Sequence, residues 1–237
     1  IKNIINKLSN KEKNELIILL SHIGGIINPD ISEISDLCKD ENIVLIEDCA
    51  HSFGATLNGN HSGLYGNAGV YSFYATKAIP AGEGGIVVTK DEEIGQMITK
   101  FSMYDRFEQS LELANNIRIS EVQALLAYSV VKEWNKIINS KAEMAKVYID
   151  KCQERELNYI CQESNGHNGN YYKFIIISKK QPIKQLLPKL KSKTSSVYDY
   201  SIGVHNSVAD SHVCLPIWYG QDKSVANKVV KELDESN

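Results

Sequence analysis

Residues 43–48, Ile-Val-Leu-Ile-Glu-Asp, run from an unbroken apolar stretch straight into two carboxylates. A strand can keep apolar residues on both faces only where both faces are covered, as in a parallel sheet flanked by helices. A second apolar run at 16–21 precedes it. Between the two, Pro29-Asp30 opens an amphipathic stretch over 30–41, so the segment reads as a strand–helix–strand unit of an α/β protein with a mixed, mostly parallel sheet. Open sheets of this kind bind ligands at the carboxyl ends of their strands, where Glu47 and Asp48 would emerge.

Two further strands are expected at 69–74 and 85–89. Between them lie Ala75-Thr76-Lys77 and the turn Gly82-Glu83-Gly84-Gly85, so Lys77 is presented from a loop at the same edge as Asp48. One acid, one histidine (His51), one serine (Ser72) and one lysine thus follow successive strand ends. Each has an ordinary reading as well: a capping acid, a packed histidine, a strand serine, a surface lysine. The glycines supply backbone freedom for the turn.

The quoted residues carry a resemblance. IEDCAHSFGA at 46–55, YSFYATKAIPAGEGGIVVT at 71–89 and NNIRISEVQALLA at 115–127 are similar, in this order, to three signatures of the DegT/DnrJ/EryC1/StrS family of nucleotide-sugar aminotransferases. Looser echoes are His22-Ile23-Gly24-Gly25 and Cys214-Leu215-Pro216-Ile217-Trp218. The resemblance implies a fold-type-I transferase, a large-domain portion followed by a small C-terminal α+β domain, with pyridoxal 5'-phosphate as cofactor. It further implies that Lys77 forms an imine with the cofactor and moves the substrate proton, while Asp48 keeps the ring nitrogen protonated. His51 would hold the phenolic oxygen, Ser72 would bond the phosphate, and Asn116 would reach the cofactor of a neighbouring subunit in a homodimer with shared sites. The substrates implied are a keto-sugar nucleotide and an amino-acid donor, glutamate or glutamine. A dehydratase branch of the family carries histidine in place of the lysine, so Lys77 favours transamination.

The chemistry asks for these residue types. A carboxylate against the ring nitrogen keeps the electron sink charged, and a lysine can attack an aldehyde only after losing a proton. Asn116 also suits a turn or helix cap, and Arg118 suits either helix support or a phosphate contact. Glu83 has no assigned role.

Along the chain, helices are expected at 91–103, 182–190 and 222–233, with one long helix at 120–156 carrying Val122, Leu125, Leu126, Val130, Trp134, Ile137 and Ile138 at helical spacing. Strands are expected at 171–178 and 195–200, and the Asn- and Gly-rich stretch 162–170 reads as a flexible connection. This divides the 237 residues into a partial cofactor-binding domain at 1–119, a connecting helix at 120–156 and a small α+β domain at 157–237.

A formal net charge of −3 points to no nucleic-acid partner, and the apolar runs are too short for a membrane span. Five scattered cysteines without a CxxC pair suit reduced thiols in the cytoplasm rather than disulfides or a metal site. Relatives place about a hundred residues before the matched segment, including a phosphate-cradling turn and a ring-stacking aromatic. The expectation is a fragment of a longer polypeptide or a chain completed by another. The rival reading is a non-catalytic or regulatory family member that kept the scaffold.

Overall fold

The computed structural model describes residues 1–102, 115–177, 194–195 and 211–236. Two short helices, α1 (Lys2–Ile5) and α2 (Asn10–Asn14), lead in; α2 opens on a reciprocal cap between Ser9 and Glu12. Strand β1 (Ile17–Ser21), helix α3 (Ile31–Asp40) and strand β2 (Val44–Asp48) form the expected unit. Ile31, Ile34, Ser35 and Cys38 make the buried stripe of α3. The helix stops where Asn42 takes a left-handed φ of 54° and the Ile43 N–H reaches back to the Cys38 carbonyl, which turns the chain directly into β2.

β2 continues the sheet to β5 (Ala68–Ser72) and β5 to β6 (Gly85–Val88), giving the order β1-β2-β5-β6. The first three strands are parallel and the last is antiparallel. The face under α3 is a packed core of Ile27, Ile31, Ile34, Cys38, Leu45 and their neighbours. The other face is open: Ile17 and Leu19 are 60% and 66% exposed, and Val44, Val70 and Val87 about 40%. Helix α4 (Glu92–Ser102) follows β6.

The stretch expected as one helix is two, α5 (Glu121–Lys132) and α6 (Trp134–Glu154). They break at Glu133, whose φ/ψ of −97°/9° leaves the helical well and whose N–H bonds the Val130 carbonyl, one residue short of the α-helical partner. The apolar residues spaced across this break differ in burial. Ile137 and Ile138 are buried, but Val122, Leu125 and Leu126 are 80%, 67% and 49% exposed.

A second sheet, β10-β9-β7, is built from β7 (Asn158–Tyr159), β9 (Phe174–Ile177) and β10 (His212–Leu215). α6 and α7 (Lys223–Ser236) pack on it through Met144, Tyr148, Cys152, Val229 and Val230. The strand expected at 195–200 is represented by Ser195, which bridges Cys214; its remainder and the helix expected at 182–190 lie outside the described residues. The stretch read as a flexible connection is instead a paired element. Strand β8 (His167–Asn168) adds to a hairpin of β3 (Thr56–Leu57) and β4 (Asn60–His61), whose turn sets Asn58 and Gly59 at φ 50° and 81°.

Candidate active site

β2 delivers its two carboxylates to opposite faces. Glu47 faces the core and is fully buried. One of its oxygens lies 2.9 Å from His22 Nε2 and accepts the Gly63 N–H at 2.7 Å; the other accepts those of Tyr65 and Gly66 at 2.7 Å. Burial pushes its pKa up, but the His22 bond and the three amides outweigh it and hold the carboxyl below its usual range. His22 Nδ1 accepts the Asn28 N–H, so its proton sits on Nε2 and is donated to Glu47. The Cys49 thiol also lies within 4.8 Å of these ligand atoms, but both Glu47 oxygens are already engaged by amides, so the group is a structural clasp.

Asp48, on the open face, is half-buried. Its oxygens accept one bond each, from Ser21 Oγ at 3.2 Å and the Ala50 N–H at 3.0 Å, and retain further accepting capacity. β5 places Ser72 at its end, where Oγ accepts the Tyr74 N–H at 3.2 Å. The chain then turns, with the Lys77 N–H on the Tyr74 carbonyl, over a small core of Phe73, Ile79, Ala81, Ala127 and Ile137. Lys77 Nζ stands 5.4 Å from the centroid of the Tyr172 ring. Burial lowers the pKa of this amine and Lys173 lowers it further, against the opposing pull of Asp48.

His51 lies on the other side of the same contact, its ring centroid 4.3 Å from that of Tyr172. Nδ1 takes a long bond, 3.4 Å, from the Gly24 N–H. Burial, then the charges of Lys77 and Lys173, push its pKa down to about 4 in spite of Asp48, so the ring is neutral at pH 7. Asp48, His51, Ser72 and Lys77 therefore share one sheet edge. Asn116 does not join them: it is exposed before α5, with Arg118 Nε 3.4 Å from its Oδ1.

Several contributors escaped the sequence reading. Tyr172 and Lys173 lie just before β9, and Lys173 Nζ is 5.0 Å from the Tyr172 centroid. Asn170, fully buried, donates to the His51 and Phe53 carbonyls at 2.9 Å and accepts the Tyr172 N–H at 2.8 Å. Gln162 donates to the Gly24 and Lys173 carbonyls. Between them these two amides fasten the segment bearing Tyr172 to the turn bearing His51, across more than a hundred residues of sequence. Their signal was their place at the two ends of the Asn- and Gly-rich stretch. Gly25 sits under them at φ 107°, and a Cβ there would come within 2.4 Å of Asn170 Oδ1.

With this geometry in place, comparison decides the lineage: the profile of the DegT/DnrJ/EryC1/StrS aminotransferase family matches residues 1–233. The chain belongs to this family. A GDP-perosamine synthase of Vibrio cholerae is 29% identical over 182 residues, covering 75% of this chain and 48% of the relative. The chain thus spans about half the length of the curated relatives it matches. The aminotransferase TlmJ of Streptoalloteichus hindustanus superposes with a TM-score of 0.82 at 21% identity, over 93% of this chain and 65% of the other. The Streptococcus pneumoniae protein Spr1654 in its PLP form gives 0.83 at 13% identity, over 99% and 71%. The α/β architecture with its mixed, mostly parallel sheet is the fold of these aminotransferases, as the sequence led us to expect.

Proposed function

We propose that this chain is the lysine- and acid-bearing part of an aminotransferase that uses pyridoxal 5'-phosphate to pass an amino group, from glutamate as the first choice of donor, to a keto-sugar nucleotide. The observation that carries the reading is the convergence of the Lys77 amine and the Asp48 carboxylate on one sheet edge beside the close, tilted rings of His51 and Tyr172. The donor set fits the cofactor: an amine of lowered pKa for attachment, a carboxylate with lone pairs left for a ring nitrogen, and a hydroxyl, Ser72, for a phosphate.

The cofactor supplies an electron sink for bonds at the substrate carbon. Asp48 keeps a positive charge beside it, anchored by Ser21 and the Ala50 amide so that it need not reorganise. Lys77, once free, takes and returns a proton at its Nζ; an amine below the usual lysine range is nearer to the free base this requires. His51 accepts at Nδ1, which leaves its proton on Nε2 as a donor for a phenolic oxygen. Tyr172 shields the amine from water on one side.

Asn116 belongs to the same proposal as a residue given to a partner subunit's site. The apolar residues Val122, Leu125 and Leu126, exposed on α5 just beyond it, support a homodimer through this helix. The division into 1–119, 120–156 and 157–237 and a cytoplasmic setting complete the reading. No helix among the described residues is long and apolar enough to cross a membrane.

The test is covalent. After incubation with pyridoxal phosphate and reduction with borohydride, peptide mapping should find the adduct on the peptide containing Lys77. An adduct mainly on another lysine would refute the assignment, and a chain that takes up no cofactor would favour the non-catalytic alternative.

A further inference from the structure

Lys141 is 4% exposed on α6, and its ammonium has neither a hydrogen bond nor an ion pair to any described residue. The stem is buried, but Nζ is not one of the enclosed polar atoms, so the ammonium opens on the cavity that Lys141 lines, where its charge is only partly hydrated. Burial, with Lys173 adding to it, pushes its pKa down to about 7. It lines a cavity of about 710 Å³ that also contains Lys77. Val130, Ile137 and Ile217 form apolar wall, and Trp218, 48% exposed, stands at the cavity as well.

We propose that this cavity is the amino-donor subsite and that Lys141 binds the side-chain carboxylate of an acidic amino acid whose amino end is directed to Lys77. The proposal rests on the aminotransferase reading. The methylenes of such a donor lie along Val130, Ile137 and Ile217. One carboxylate suits the charge on offer. Of the other lysines at the cavity, Lys136 already faces Glu133 at 4.0 Å and Lys77 is committed to the cofactor, so a single unpaired ammonium remains. A nucleotide diphosphate carries more charge than one ammonium answers and is bound by several donors.

Glutarate, which has the two carboxylates but no amino group to react, is the probe. Calorimetry on the full 237-residue chain should find one glutarate bound per chain. Lys141→Met should weaken it on the order of ten- to a hundred-fold, with Lys141→Arg retaining most of the affinity. Inorganic phosphate and a nucleoside diphosphate should not displace it. Lys141→Met should melt no lower than the wild type, since it removes a partly desolvated charge paired with no described residue; a clearly lower melting point would make Lys141 a structural residue and overturn the proposal. So would absence of glutarate binding, binding indifferent to Lys141→Met, or displacement by phosphate or the nucleotide. Borohydride trapping on the same preparations separates the two readings. Trapping at Lys77 with glutarate indifferent to Lys141 removes the subsite alone, whereas Lys141-dependent glutarate binding without trapping favours the non-catalytic alternative.

Discussion

Glu47 and Asp48 are consecutive carboxylates on β2 with opposite employment: Glu47 is fully buried and clasps the loop at Gly63, Tyr65 and Gly66, while Asp48, on the open face, accepts two bonds and keeps room for more. Period-two alternation alone produces the division.

The pair should therefore separate under mutation. Glu47→Gln loses a charged acceptor for His22 and for three amides and should cost about 3 kcal/mol or more of stability by urea unfolding. Asp48→Asn should change stability by less than about 1 kcal/mol, yet in the cofactor-loaded enzyme lower turnover by orders of magnitude with cofactor largely retained. Near-normal turnover would remove Asp48 from the ring nitrogen.

His51 predicts an acid-side loss of stability. Its folded pKa of about 4 lies below the unfolded value, so its contribution is complete above about pH 6.5 and disappears as pH falls through the folded value. Allowing for screening of a partly solvated ring, the loss is about 1–2 kcal/mol. His51→Gln should flatten the stability profile between pH 6.5 and 4. An unchanged profile would mean that the ring is not held neutral.

Lys141 predicts the reverse limb. Its folded pKa, about 7, lies below that of a free lysine, so the wild type should gain stability as pH rises from about 7 to 10. Lys173 acts on the same ammonium, and Lys77, Lys136 and Glu133 line the cavity with it. Any stability advantage of Lys141→Met should be greatest below pH 7 and shrink toward pH 10. A pH-independent difference would mean that the ammonium is as well hydrated as that of a free lysine.

Asn170→Ala should cost about 2–4 kcal/mol, because it strands the carbonyls of His51 and Phe53 and the N–H of Tyr172. Asn170→Asp keeps the acceptor but loses both donor bonds and should not rescue it. If Asn170→Ala melts like the wild type, water has replaced the amide.

The strand–helix–strand core was legible because each of its signals is local: the run at 43–46, the stripe of α3, the turn that presents Lys77. Asp48, His51, Ser72 and Lys77 could be named for the same reason, since each follows a strand end. Gln162, Asn170, Tyr172 and Lys141 could not, because their roles depend on contacts with residues far away in sequence, and a buried amide in a Gly-rich stretch looks like any loop residue. The break at Glu133 was hidden by apolar spacing that continues through it. Val122, Leu125 and Leu126 follow that period while facing outward, so periodicity located a helical face without telling what the face meets.

The open side of the central sheet ties two equilibria together. Ser21, Asp48, Val70 and Val87 form one row across it, and Leu19 lies two positions from Ser21 on the same side. Whatever polypeptide comes to rest on Leu19 and Val70 must also roof Asp48, drying the carboxylate as it covers the apolar surface. A ligand cation held by Asp48 and a protein segment seated on this face would then strengthen each other by the same factor, so that assembly of the protein could be followed through its affinity for the cofactor, and the cofactor could be used to drive assembly.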